Sequence, residues 1–131
     1  MISTKGRYAL RVMIDLAEHK NEKCVPLKSI AKRQDISKKY LETIVKELVK
    51  SKLIEGIHGR SGGYKLTKDP EEYSVIEIVM PVEKSLASVA CLADKNYDCP
   101  RKDICKSLPM WEEFDEMVYD FFGKKKLSDL I

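Results

Sequence analysis

The sequence lacks long hydrophobic runs. Its longest stretch without a charged residue covers residues 85–93, far short of the roughly twenty apolar residues that span a bilayer. The first residues also lack the unbroken apolar core of a secretory signal, because Arg11 and Asp15 interrupt it. We therefore expect a cytoplasmic protein that has no membrane partner.

Histidine and cysteine are scarce as well. The only histidines are His19 and His58, and no nucleophile–base arrangement accompanies them, so nothing supports an enzyme. A chain of 131 residues with 44% hydrophobic and 34% charged residues can form one globular core without disulfides. In a reducing compartment, the four cysteines are expected to be thiols or metal ligands rather than cross-links.

Positive charge is concentrated in one half of the chain. Residues 1–68 hold 16 basic and 7 acidic side chains, whereas residues 69–131 hold 8 basic and 14 acidic ones. Such a split is typical of a half that binds a polyanion, although two ordinary solvated surfaces would give the same numbers.

Hydrophobic periodicity predicts a mainly α fold with a small β-hairpin. We expect a winged helix-turn-helix in residues 1–80, a cysteine-containing loop in residues 81–108, and a long helix with a tail in residues 109–131. A small α+β core remains the alternative. The predicted helices cover residues 4–19, 27–34 and 38–52, a short segment after a capping box at residues 74–77 that Pro81 limits, and a last segment from Pro109 to Gly123; the predicted strands cover residues 53–57 and 64–66.

The third helix is the predicted reading element, because the second helix of such a pair enters the DNA major groove. Two lysines in its first turn oppose the helix dipole, and a phosphate partner would remove that conflict. A frayed, solvated helix end is the alternative. The residues proposed to contact DNA here are Ser37, Lys38, Lys39, Tyr40, Glu42 and Thr43.

Glu42 is the one acid among these residues. A carboxylate accepts a hydrogen bond from cytosine and is repelled by phosphates, so it would select among DNA sites. An ion pair with Lys38 or Lys46, four residues away on either side, is equally compatible with the sequence.

The hairpin turn is rich in glycine and carries basic side chains. Glycine allows the backbone to approach a groove closely, and an arginine at a hairpin tip can enter the minor groove. The residues proposed to contact DNA in this turn are His58, Gly59, Arg60 and Gly62.

Three cysteines lie in the predicted loop. Cys91, Cys99 and Cys105 are separated by seven and five residues, which lacks the close pairs of zinc sites. Soft thiolates in an irregular loop suit an iron–sulfur cluster. Zinc, reduced structural thiols and a reversible disulfide remain open on spacing alone.

Several short motifs together resemble the Rrf2 family of bacterial transcription regulators, whose named types include IscR, NsrR and CymR. The motifs are residues 3–10, Ile30-Ala31, Ile36-Ser37 with Tyr40-Leu41-Glu42, Leu53-Ile54, Gly62-Gly63-Tyr64 with Leu66, and residues 127–130. The resemblance implies homodimeric winged-helix repressors or activators that bind palindromic operators. His58 stands where the family usually has its wing arginine, and Arg60 follows two residues later.

The resemblance also favours a two-iron or four-iron cluster on Cys91, Cys99 and Cys105. It supplies no fourth ligand, because the histidine of IscR-like members is Leu108 here and the acid of NsrR-like members falls at about Arg7. Cys24 is interpreted as a plain loop cysteine. The candidates for the fourth ligand are Cys24, Asp98, Asp103, Glu18 of the partner subunit, or an exogenous group.

Apolar residues recur at steps of three and four along the last helix, at Trp111, Phe114, Val118 and Phe121. Such a seam pairs helices across a two-fold axis, or packs on its own domain. We expect a homodimeric transcription regulator controlled by the cluster. The alternatives are a cluster-free regulator of the CymR kind, controlled by a partner protein or thiol oxidation, and a small electron carrier.

Overall fold

The computed structural model describes all residues, Met1–Ile131, as a mostly helical chain with one two-stranded antiparallel sheet. This confirms the predicted winged-helix fold class. The elements are α1 (Thr4–Glu18), α2 (Leu27–Gln34), α3 (Lys38–Lys50), β1 (Ile54–Ile57), β2 (Gly63–Leu66), α4 (Val75–Glu83), α5 (Ala90–Ala93) and α6 (Leu108–Lys124), with 3-10 turns at Pro70–Glu72 and Leu127–Leu130.

The core is built from the apolar stripes of α1, α2, α3 and α4. The stripe of α1 is buried, and Leu41, Ile44, Val45 and Leu48 of α3 face it. Burial of side chains at helical spacing removes apolar area from water and holds the three N-terminal helices in one arrangement.

An ion pair between a buried carboxylate and an exposed arginine joins α1 to α2. The carboxylate of Asp15, which is 1% exposed, accepts hydrogen bonds from Arg33 at 2.7 and 3.0 Å and from Gln34 at 3.0 Å. Burial raises the pKa of Asp15, but the hydrogen bonds from Arg33 and Gln34 outweigh it and hold that pKa below its ordinary value. This ion pair holds α2, the helix that precedes α3, against α1.

The turn between α2 and α3 has the chemistry its sequence predicts. Asp35 ends α2 in the left-handed conformation at φ 52°, and Ile36 is buried. The Ser37 hydroxyl then accepts a hydrogen bond from the Tyr40 amide at 3.1 Å, which caps α3. The N-terminus of α3 is therefore held in place by local hydrogen bonds.

The hairpin is anchored on the segment between α1 and α2. Its strands pair from Ile54 with Leu66 to Ile57 with Gly63. Val25 and Tyr64 exchange two backbone hydrogen bonds of 2.8 Å each. The wing is consequently attached to the segment that leads into α2.

Several helix ends lie one or two residues from the predicted ones, as at Glu18 of α1 and Lys50 of α3, and the ends of α4 and α6 also differ. The capping box at Ser74 and Glu77 is present, but α4 runs through Pro81 to Glu83 and so crosses residue 80, the predicted end of the first segment. Proline inside a helix removes one backbone hydrogen bond and crowds the carbonyl four residues earlier, but burial of Val82 favours continuation. Helix α6 likewise passes Gly123 and ends at Lys124.

Helix α6 packs on α4 with one side only. Phe122 contacts the small buried cluster of Val75, Val79 and Leu86, and the opposite side of the helix is open to solvent. No helix of the chain combines the length and the apolar character that crossing a bilayer requires.

Candidate DNA interface and cysteine cavity

The N-terminal part of α3 carries charged side chains that form no ion pair. Lys38, Lys39 and Glu42 are exposed, and none of them forms an ion pair. The alternative in which Glu42 pairs with a neighbouring lysine is therefore not seen. Unpaired lysines at the positive end of a helix dipole are suited to an anionic partner.

Tyr40 and Thr43 are held by contacts within the protein. The Tyr40 ring packs edge to face on Tyr8 of α1, with 5.7 Å between ring centroids, and the Thr43 hydroxyl donates to the Tyr40 carbonyl at 2.7 Å. The guanidinium carbon of Arg11 lies over the Tyr8 ring, 5.2 Å from the ring centroid. These contacts connect α1 directly to the reading helix.

The wing turn is shaped by its glycines. Gly59 adopts φ +114°, a conformation that side chains disfavour, and its carbonyl accepts from the Gly62 amide at 3.1 Å. A β-carbon at Gly62 would collide with the Ile57 carbonyl oxygen. His58 and Arg60 are exposed on either side of this tight turn.

A groove of about 540 Å³ separates the helix pair from the wing. It brings together five of the ten residues proposed to contact DNA, whereas Ser37, Lys39, Tyr40, Thr43 and Arg60 lie outside its lining. The five that line it are Lys38, Glu42, His58, Gly59 and Gly62.

Lys28 also lines this groove, and sequence reasoning missed it. It is an exposed lysine in the first turn of α2, so the argument applied to Lys38 and Lys39 on α3 would have found it. The groove thus receives the N-terminal turns of two helices.

A second cavity, of about 250 Å³, lies between the cysteine loop and the start of α6. Cys91, Cys99 and Cys105 all line it, and so do the side chains of Lys95 and Lys102. No three His, Cys, Asp or Glu side chains converge closely enough to hold a single metal ion. A cluster distributes its ligands over several iron atoms, so three thiols around one cavity fit it better than a lone ion.

Cys105 differs chemically from an ordinary thiol. A hydrogen bond with the Ser107 hydroxyl, 3.5 Å from the sulfur, lowers the pKa of Cys105, and backbone amides at the start of α6 and the charge of Arg101 act in the same direction. The half-buried thiol of Cys105 therefore has more thiolate character, which favours metal ligation and reaction with oxidants.

The start of the cysteine loop is attached to α6. The buried carboxylate of Asp115 accepts a hydrogen bond from the Ser88 amide at 2.9 Å, three residues before Cys91. The loop and α6 are therefore joined by a direct hydrogen bond close to Cys91.

The proposed fourth ligands lie elsewhere. Cys24 is a buried thiol in the loop between α1 and α2, where it donates to the Ser61 carbonyl at 3.0 Å, and it is outside the cavity lining. Asp98 and Asp103 are exposed and outside the cavity lining. Leu108 is in the lining, but its side chain has no donor atom.

Helix α6 exposes an apolar stripe with a different composition from the predicted seam. Trp111 and Val118 are half-buried, whereas Phe114 and Phe121 are exposed. Two methionines complete the exposed row at helical spacing. The stripe consists of Met110, Phe114, Met117 and Phe121, with exposures of 53%, 39%, 65% and 58%.

Comparison with known proteins identifies relatives over the whole chain. The chain is 34% identical over 130 residues to the transcriptional regulator IscR of Photorhabdus laumondii, covering 99% of this chain and 78% of the relative. It is 35% identical over 130 residues to protein rrf2 of Nitratidesulfovibrio vulgaris, covering 99% and 86%.

Solved structures agree with these sequence relatives. CymR, the global cysteine regulator of B. subtilis, superimposes with a TM-score of 0.79 at 32% identity over 99% of this chain and 95% of that one. IscR of T. potens gives 0.76 at 32% identity over 99% and 85%.

The relatives are transcription regulators, which confirms the expectation of a regulator rather than an enzyme or an electron carrier. The sequence profile of Rrf2, described as an iron-dependent transcriptional regulator, matches residues 2–131. The chain belongs to the Rrf2 family of DNA-binding transcription regulators.

Proposed function

We propose that the chain is a homodimeric regulator whose operator affinity is controlled by an iron–sulfur cluster held by Cys91, Cys99 and Cys105. The observation that carries this proposal is the single cavity that all three thiols line.

The donor set suits this group. Three soft thiolates favour iron–sulfur ligation, and Lys95 and Lys102 in the cavity lining offset their negative charge. When bound, the group would supply an oxidant-sensitive centre of two or four irons.

DNA contact is assigned to the first turns of α2 and α3 and to the wing. Lys28, Lys38 and Lys39 would neutralise phosphates, and Glu42 would discriminate among bases in the major groove. His58 and Arg60 flank the turn that would approach the minor groove.

A two-fold dimer is proposed from the apolar stripe of α6. Met110, Phe114, Met117 and Phe121 form a continuous row along about three helical turns, which would be buried against the same row of a second copy. Such a dimer matches a palindrome whose half-sites are about ten base pairs, or a multiple, apart.

Coupling between the cavity and DNA has a contiguous structural route. Asp115 of α6 holds the loop at Ser88, α6 packs on α4, and Glu83 of α4 accepts hydrogen bonds from Ser3 and Gly6 at the start of α1. Tyr8 of α1 then packs on Tyr40 of α3. A coupling free energy of about 1–3 kcal/mol along this route would change operator affinity by about 5- to 150-fold.

A cluster-free regulator is the second candidate, favoured by the lowered pKa of Cys105 and by the structural likeness to CymR. In that case thiol oxidation or a partner protein would supply the signal.

Anaerobic reconstitution separates the two candidates. The purified chain should take up iron and sulfide with a visible thiolate-to-iron absorption, and its affinity for duplexes selected from a random pool should change when iron is removed. Identical binding curves with and without iron would contradict cluster control. Signal response that persists after all three loop cysteines are replaced with serine would favour control by a partner.

A further inference from the structure

The cavity that the three cysteines line also contains an exposed carboxylate. Glu112 of α6 is part of its lining, and no motif in the sequence marks this residue. The glutamate follows Leu108 by four residues, so the two side chains lie on the same face of α6. The helical phase that places Leu108 on the cavity wall therefore places Glu112 there too.

The other polar groups of the cavity are poor ligands. Lysine and tyrosine side chains keep their protons at neutral pH, whereas a carboxylate is ionised and has free lone pairs. This excludes Lys95, Lys102 and Tyr97, the remaining polar residues of the lining. Glu112 also makes no hydrogen bond or ion pair to another side chain, so its oxygens are available.

We propose that Glu112 supplies the fourth protein ligand of the cluster, from the same subunit as Cys91, Cys99 and Cys105. This inference rests on the proposed function. A carboxylate is harder than a thiolate or an imidazole and holds iron less firmly. The iron bound by Glu112 would then be the most weakly held one of the cluster.

The test uses the full-length chain reconstituted anaerobically, with three single variants. Glu112→Gln removes the charge and one oxygen, and we expect faster iron loss to an added chelator than in the wild type, by at least the roughly 10-fold that loss of an outer-shell partner costs in metal affinity. Glu112→Cys supplies a fourth thiolate, and we expect slower iron loss, stronger thiolate-to-iron absorption and a lower reduction potential.

Glu113→Cys is the matched control, because Glu113 is an exposed neighbour on α6 outside the cavity lining. It should leave the spectrum, the potential and the chelation rate at their wild-type values. Helical content of all apo variants, measured by circular dichroism, should equal that of the wild type.

The outcomes distinguish this inference from the proposed function. A wild-type chain that takes up no iron and sulfide overturns both. A wild-type cluster combined with an unchanged chelation rate in Glu112→Gln overturns the assignment of Glu112 alone, as does a Glu112→Cys spectrum that differs no more than that of Glu113→Cys.

Discussion

At the scale of single residues, the two candidate sites use exposed or half-buried groups whose chemistry is set by near neighbours. Cys105 has its thiol tuned by Ser107 and the start of α6, whereas Lys38 and Lys39 stand unpaired at the capped end of α3. Exposure makes these side chains cheap to replace without unfolding the chain. Substitutions here therefore report on function more than on stability.

Replacement of Ser107 by alanine should raise the pKa of Cys105. The hydroxyl favours the thiolate, so its loss moves the midpoint of alkylation of Cys105 to higher pH and slows alkylation at neutral pH. The measurement is iodoacetamide labelling against pH in a chain in which Cys24, Cys91 and Cys99 are serine. An alkylation profile that does not change in the Ser107→Ala chain would show that the hydrogen bond has no such effect.

Replacement of Lys39 by alanine should weaken binding to every duplex by a similar factor. A lost phosphate contact also reduces the slope of log affinity against log salt by about 1. Fluorescence anisotropy at several salt concentrations measures both quantities. The control is Lys50→Ala at the far end of the same helix, and equal salt slopes for the two variants would remove Lys39 from the interface.

At the scale of elements, α1 begins against the end of α4, and a glycine lies at their point of contact. Glu83 Oε1 accepts from the Ser3 amide at 2.8 Å, the Ser3 hydroxyl at 2.7 Å and the Gly6 amide at 2.9 Å. This one carboxylate satisfies amides that a helix N-terminus leaves free. A β-carbon at Gly6 would collide with the same side chain.

A double-mutant cycle tests this arrangement. Gly6→Ala should destabilise the wild type by about 1 kcal/mol through displacement of Glu83, and Glu83→Ala should cost about 1–2 kcal/mol through loss of the cap. In the Glu83→Ala background the clash is gone, so Gly6→Ala should stabilise by about 0.5–1 kcal/mol through helix propensity. Urea unfolding measures each step; additive changes would contradict a direct contact between the two residues.

The accuracy of the sequence prediction depended on whether local chemistry decides each element. Helix α2 and the cap at Ser37 follow from neighbouring residues, and the structure has both as predicted. The end of α4 depends on burial of Val82 beyond Pro81, which a local rule about proline does not include. The cavity site was harder to predict from the sequence, because Glu112 reaches the cavity only through the way the loop folds onto α6.

At the scale of the whole molecule, the open face of α6 is the largest departure from a self-contained fold. One side of this helix packs on α4 through Phe122, and the other presents four large apolar side chains to water. Exposed apolar rows of this kind mark interaction surfaces. A second copy of the chain is the proposed occupant.

Simultaneous replacement of Met117 and Phe121 by glutamate should convert the protein to a monomer. Both side chains are more than half exposed in the single chain, so the helix itself should survive, while buried like charges would oppose pairing. Sedimentation equilibrium gives the mass, and operator titration should show affinity falling with loss of the two-fold. Glu116→Gln on the same helix is the control. If the double variant still has the mass of a dimer, the dimer interface lies elsewhere.

The attachment of the wing has a consequence for the kind of operator this protein can accept. Val25 binds Tyr64 and Cys24 binds Ser61, and two residues later the same segment begins α2. The wing and the helix pair α2–α3 are thus attached to the same segment, which fixes the distance between the wing tip and α3. In the proposed complex, the distance between the major-groove and minor-groove contacts of one half-site would therefore be fixed, and any tolerance for spacer length would have to come from the contact between the two subunits.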